Sequence, residues 1–228
     1  MNEIIFFGWA IFTLMTVLVI FRLGGFWGVV ITIAVYSLLM NIFVLKQFDL
    51  FGWALTGGNM LYGAIFLGTD LLSEHYGKKM AIKAVWIGFT STIFFVIASQ
   101  VLLAFIPNSE DFAHTALSTL FSIAPRILLG SLLAFIVAQL LDVWLYEKIR
   151  TFFPKQLWGR NLGSTLVSQA IDTIIFTAVG LTSFAFLPFE GVISTTIFWE
   201  VCFATYVIKV VVALFDTPFI YASRWVKK

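Results

Sequence analysis

The chain has 228 residues, of which 61% are hydrophobic and 11% charged, with a net charge of +2 at neutral pH and a mean hydropathy of +1.00. A soluble domain carries about 25% charged residues, and no soluble core of this size could hide so much apolar surface, so a freely soluble protein is excluded. The small basic excess gives nucleic-acid binding no support, and a single cysteine, Cys202, excludes an intramolecular disulfide.

A helix needs about 20 apolar residues to cross the hydrocarbon core of a bilayer. Seven such stretches follow one another, at 4–21, 26–45, 50–72, 81–106, 117–146, 162–187 and 192–223. They predict an all-α polytopic membrane protein. The first is flanked by Met1, Asn2 and Glu3 rather than by basic residues, which reads as a retained helix and not a secretory signal. Gly57 and Gly58 loosen the start of the third, and Pro218 is the natural kink point of the last. Positive charge is retained on the cytoplasmic side of membranes. Arg22, Lys78, Lys79, Lys83, Lys148, Arg150, Lys155, Arg160, Arg224, Lys227 and Lys228 all fall on one side if the helices alternate. Glu3, Asp49, Glu110, Asp111 and Glu190 fall on the other, with Lys46 as its only base. The N-terminus is therefore expected outside and the C-terminus inside.

Six ionisable side chains lie within or at the edge of these runs: Asp70, Arg126, Asp142, Asp172, Glu200 and Lys209. A charge at bilayer depth costs a few kcal/mol, so such groups face a protein interior, a water-filled cavity or a substrate path. In the sixth stretch Ser164, Thr165, Ser168, Gln169, Asp172 and Thr173 fall within one half of the cylinder at about 100° per residue. Leu166, Val167, Ala170, Ile171 and Ile174 take the other half. Hydrogen bonding between helices accounts for the hydroxyls, but less well for Gln169 and Asp172. In the third stretch Asn59, Gly63, Phe66, Asp70 and Glu74 follow steps of three or four, with Tyr62 beside them. Amide, aromatic and carboxylate on one stripe suit a planar ligand with several hydrogen-bonding groups. Glu74 and His75, next to Lys78 and Lys79, read as a solvated interfacial cluster.

Pairing follows from the cost of a lone charge. Lys209 and Asp172 lie at comparable depth and are expected to pair, as a structural bridge or as part of the mechanism. Glu200 is a candidate partner of Arg126, and Asp142 is placed near Gln139 or against the basic loop. Gly130, Ala134 and Ala138 form a small-xxx-small stripe for close helix packing. There is no H-E-x-x-H motif and no cysteine and histidine cluster, so no metal or cofactor is expected. An intramembrane enzyme using Asp70 and Asp172 as an acid pair is the alternative of another class.

Asn41, the run Phe66 to Leu71 with Glu74, Tyr76 and Gly77, Arg126 with Ser131, Gln139 to Asp142, Ser164-Thr165, Gln169, Asp172, Phe176, Tyr206, Lys209 and Pro218 together give the chain a family likeness. It resembles the queuosine precursor transporter family, also grouped with putative vitamin uptake transporters, over about residues 30 to 223. The resemblance implies a six-helix membrane core that imports 7-deazapurine precursors of a modified tRNA nucleoside across the bacterial inner membrane. Residues 1–25 would be an extra helix and 26–228 the transporter domain. A 7-deazaguanine ring presents adjacent donors that a carboxylate accepts in pairs, a carbonyl that an amide can serve and a face for aromatic stacking. Asp70 or Asp172 suits the donor edge, Asn41, Asn59, Gln139 and Gln169 the amide contacts, and Tyr62, Phe66 or Phe176 the stacking. Arg126, Asp142, Glu200 and Lys209 are the candidates for charge pairing or coupling. The chain has no G-x-x-x-x-G-K-[ST] loop, so the runner-up, a substrate-binding subunit of an ATP-driven vitamin importer, needs a separate ATPase. That energising module and a homo-oligomer are the partner arrangements left open, beside the lipid bilayer and the small-molecule substrate.

Overall fold

The computed structural model describes residues 1–121, 125–182 and 193–226, and their side chains apart from those of Ala54, Pro125 and Arg126. Its helices are α1 (Asn2–Phe43), α2 (Asn59–Tyr76), α3 (Lys78–Leu103), α4 (His114–Phe121), α5 (Pro125–Phe152), α6 (Leu157–Ile175) and α7 (Phe198–Val226). A π-helical turn, Phe176–Leu181, continues α6, and a short 3-10 turn, Thr195–Ile197, precedes α7. Among the described residues five helices are long and apolar enough to cross a membrane: α1, α3, α5, α6 with its π turn, and α7 with its 3-10 turn. The protein is an all-α polytopic membrane protein.

Two of the expected spans form α1, which folds back on itself at Gly25, where φ is 53° and ψ is −134°. In an unbroken helix residues 20 and 28 would lie about 12 Å apart along the axis. Here a Cβ built on Gly28 would sit 2.7 Å from the Ile20 carbonyl oxygen, so the arms 2–24 and 26–43 run side by side. Gly25 supplies the positive φ that this reversal needs. Both arms join one apolar core, with Leu14, Val17 and Phe21 from the first meeting Val29, Val30 and Ile33 from the second and Leu67 and Leu71 of α2.

The third span departs from expectation. Residues 50–56 belong to a β-hairpin, β1 (Gln47–Leu50) and β2 (Trp53–Thr56), and the helix begins only at Asn59. Phe51 (φ 52°) and Gly52 (φ 83°) form its two-residue turn, and positive φ at both positions is the type I′ geometry that closes a tight hairpin. Its apolar residues imitate a membrane span in sequence, and two of them are core: Leu50 and Leu55 pack with Phe6 of α1 and with Ile208 and Val212 of α7, whereas Phe51 and Trp53 are exposed. The strand ladder satisfies the backbone groups that irregular chain at this depth would leave open.

Expected span five divides into α4 and α5, with residues 122–124 outside the described set. The end of span six and the start of span seven, 183–192, also lie outside it. α7 runs as one helix with Pro218 inside it. Lipid tails give helices no hydrophobic reason to associate, so close packing and polar contacts hold such bundles together. Accordingly Ala134 and Ala138 are fully buried on α5, and a Cβ on Gly130 would meet the Gly180 backbone of the π turn at 2.6 Å. Gly130→Val is expected to lower stability by about 1–3 kcal/mol through overpacking, read as a lower melting temperature in detergent, whereas Gly130→Ala should cost less.

The arginines and histidine at one end of the bundle define a basic end. There Phe21 rests on His75 and Tyr76, His75 shares a hydrogen bond with Ser223, and Arg150 donates to the Ser73 carbonyl. At the opposite end Asn2 donates to the Asp49 carbonyl beside the hairpin.

Candidate functional site

Polar side chains of α2, α5, α6 and α7 converge on the bundle axis because each helix turns its polar stripe inward. On α6, Ser164, Thr165, Ser168, Gln169, Asp172 and Thr173 are all buried, whereas Val167 and Ile174 are exposed. The stripe extends further toward the basic end than the sequence reading placed it. α6 starts at Leu157, so Arg160 and Asn161 belong to the same face and are also buried.

Three layers stack along the axis. The first, nearest the basic end, is centred on Glu74. Arg160 Nη2 donates to both of its carboxylate oxygens at 2.7 and 2.6 Å, Arg224 donates at 3.0 Å and the Tyr146 hydroxyl at 3.1 Å. Arg160 also donates to the Pro154 carbonyl, and its side chain is 2% exposed against 10% for Glu74. Glu74 is therefore the hub joining α2, α5, α6 and α7 and not a solvated interfacial residue, because the buried arginine on the next helix outcompetes nearby lysines.

The third layer is centred on Asp172. Lys209 Nζ donates to its Oδ2 at 2.6 Å, and the Tyr62 hydroxyl donates to its Oδ1 at 2.5 Å. Lys209 also donates to Thr173 and lies over the Tyr62 ring, 4.3 Å from its centroid. Tyr62 stacks on Phe66 with centroids 5.8 Å apart, and Phe66 is fully buried. Twelve residues of α2 separate Tyr62 from Glu74, about 18 Å at 1.5 Å per residue, and the same count separates Arg160 from Asp172 on α6.

Between them lies a layer whose polar groups are incompletely satisfied. Asp70 is fully buried and neither of its oxygens receives a hydrogen bond among the described residues. Gln139 accepts from Thr69 through Oε1 but leaves Nε2 free, and Gln169 leaves both amide atoms free. Asp142 accepts from Ser168 at 3.0 Å, with its second oxygen free. It lies within hydrogen-bonding reach of Asp70, so it belongs to the centre and not to the basic loop. Asp216 accepts from Asn161 at 2.7 Å. Most buried polar groups in proteins are hydrogen-bonded, so a concentration of free ones makes this layer the candidate site.

The other candidates lie around this axis. Asn41 donates to the Ser37 carbonyl and accepts from Ser131 of α5, which leaves it little spare capacity. Asn59 is buried at the start of α2. Phe176 opens the π turn and is half-buried against Gly180. Glu200 is exposed, without an ion pair among the described residues, and the side chain of Arg126, its suggested partner, lies outside them. Among the described residues no group of three or more histidine, cysteine, aspartate and glutamate side chains is placed to hold a metal ion.

The structure is a multi-pass helical bundle with buried polar side chains at its centre. The chain belongs to the putative vitamin uptake transporter family, whose model matches residues 56–223. It is 43% identical over 217 residues to a Bacillus subtilis (strain 168) protein named as a probable queuosine precursor transporter, covering 94% of this chain and 91% of that one. A queuosine precursor transporter of Escherichia coli (strain K12) is 27% identical over 143 residues, 60% of this chain and 59% of that one. A Haemophilus influenzae protein (strain ATCC 51907 / DSM 11121 / KW20 / Rd), named as a probable one, is 26% identical over 129 residues, 57% of this chain and 53% of that one. No solved structure gives a significant match.

Proposed function

We propose that the protein imports 7-deazapurine precursors of queuosine (7-cyano- or 7-aminomethyl-7-deazaguanine, or queuine) across the bacterial cytoplasmic membrane, with its basic end on the cytoplasmic side. The observation that carries the substrate class is the set of free buried groups in the central layer. Asp70 offers two free acceptor oxygens, Gln139 a free amide donor and Gln169 a donor and an acceptor. A guanine-type edge needs that set: a carboxylate for its adjacent N–H and amine donors, and an amide N–H for the neighbouring carbonyl. The stacked Tyr62 and Phe66 lie on the same helix as Asp70 and supply an aromatic face toward the third layer. Asp172 has both oxygens engaged by Tyr62 and Lys209, so Asp70 is the ligand carboxylate and Asp172 the anchor that holds Tyr62. The names of the relatives support the same substrate class.

The test is uptake of labelled precursors by cells that cannot make them, with incorporation into tRNA as the readout. Asp70→Asn removes a charge-assisted pair of about 1.5–3 kcal/mol and is expected to reduce uptake at least tenfold with normal membrane expression. Uptake unchanged in both Asp70→Asn and Gln139→Leu would send the site elsewhere, and no uptake of any precursor by the wild-type protein would remove the substrate class.

A further inference from the structure

Two carboxyls face each other in the middle of the bundle with a third nearby, and among the described residues no cation lies between them. Asp70 of α2, Asp142 of α5 and Asp216 of α7 are each fully buried. Asp70 and Asp142 lie within hydrogen-bonding reach of each other, and Asp216 is close enough to act on both. The other groups facing the pair are Tyr146 from α5, Glu74 from α2 itself and the hydroxyls of Ser164, Thr165 and Ser168 from α6. The nearby cations are committed elsewhere: Lys209 to Asp172, Arg160 and Arg224 to Glu74, and Arg150 to Glu147 and the Ser73 carbonyl.

Hydrogen bonding makes the deficit specific. Among the described residues no donor is bonded to either Asp70 oxygen or to Asp142 Oδ2, and Gln139 Nε2 is likewise without a partner. The group within reach of Asp70 is another carboxyl, which becomes a donor only when one of the two carries a proton. Two carboxylates sharing a site away from water cannot both stay ionised, and a charge at this depth without a counter-charge is unfavourable.

We infer that the Asp70–Asp142 pair is a proton site, with Asp142 the carrier, and that a proton crosses the membrane together with the substrate. This rests on the importer reading above. With the site open to the outer side and empty, the pair takes one proton from water and one O–H bond forms on Asp70, whose oxygens have no described donor, and that O–H donates to Asp142, which Ser168 already serves. When the ligand's donor edge engages Asp70, the proton passes to Asp142: the Asp70 O–H bond breaks, the Asp142 O–H bond forms, and the Asp70 carboxylate accepts the ligand's two donors. When the site opens to the cytoplasm, the O–H bond breaks and the proton leaves to water. Nothing is oxidised or reduced, and the deprotonated empty site must take up another proton before the next substrate.

Purified protein in proteoliposomes tests this with labelled 7-aminomethyl- and 7-cyano-7-deazaguanine. An inside-alkaline pH gradient should drive accumulation of about tenfold per pH unit for one proton per substrate, and an inward sodium gradient at equal pH should drive none. Asp142→Asn keeps a donor facing Asp70, so it should retain counterflow of the labelled ligand within about twofold while losing pH-driven accumulation. Wild-type counterflow without pH-driven accumulation, accumulation driven by sodium instead, or pH-driven accumulation that survives in Asp142→Asn would each overturn the proton site and leave the importer reading standing. Infrared difference spectroscopy in lipid gives a readout independent of substrate. The carbonyl stretch of a protonated carboxyl, shifted in deuterated water, should be present at neutral pH and diminished in Asp70→Asn, where the remaining Asp142 keeps its Ser168 donor. A spectrum identical in the two proteins would overturn the proposal even if neither precursor is transported.

Discussion

Replacing Lys209 with methionine is expected to destabilise the protein by about 3–5 kcal/mol, the cost of leaving one member of a buried ion pair alone. The Lys209 and Asp172 side chains are 5% and 1% exposed, so water cannot take the place of the lost ammonium. The damage reaches α2 as well, because Asp172 also receives the Tyr62 hydroxyl and Lys209 lies over the Tyr62 ring. Asp172→Asn should be costly for the complementary reason, a buried ammonium left with neutral acceptors, Thr173 among them, and no counter-charge. The double variant removes both charges and should recover much of the loss, since a pair replaced as a unit is often nearly neutral. Melting temperatures in detergent for the four proteins form a double-mutant cycle. Additive losses would show that the two charges do not stabilise each other. If the double variant folds but does not transport, the pair serves the mechanism; if it transports normally, the pair is a structural bridge between α6 and α7.

Much of this layer was legible in the sequence because a helix displays its residues at a fixed angle. Six polar residues between Ser164 and Thr173 fall on one half of a cylinder, and burial in the bundle follows that half. Depth was legible too, since Asp172 and Lys209 lie similarly far from the basic loops. What the pattern could not show was which partner wins. Glu74 has Lys78 and Lys79 close in sequence, yet its ligands come from Arg160, 86 residues on, and Arg224, 150 residues on. The available signal was the four-residue spacing of Arg160, Ser164, Ser168 and Asp172, which sets Arg160 on the polar face once the helix is allowed to begin earlier. The hairpin was hidden for a different reason. Buried strands and membrane helices are both apolar, and a short apolar run does not declare its period. Only Phe51-Gly52 and Gly57-Gly58 betrayed it, as turn residues inside a hydrophobic stretch.

Removing the Glu74 carboxylate is expected to open the basic end. Glu74 draws three helices onto α2, through Tyr146 of α5, Arg160 of α6 and Arg224 of α7. Arg160 is 2% exposed, so Glu74→Leu leaves a buried guanidinium whose remaining acceptor is the Pro154 carbonyl, again a loss of about 3–5 kcal/mol. Glu74→Gln keeps the shape and one acceptor oxygen and should lose less. Since the network closes the seam between the central layer and the basic end, its loss favours conformations in which that seam parts, the motion alternating access requires. A cysteine at Ser164, a fully buried position one turn beyond Arg160 on α6, reports that opening in a Cys202→Ser background. Its alkylation by a membrane-impermeant reagent applied from the basic side should quicken at least tenfold in Glu74→Gln, a shift of about 1.4 kcal/mol in the opening equilibrium. Lower stability with unchanged alkylation would instead make Glu74 a clamp that holds the bundle together without taking part in its opening.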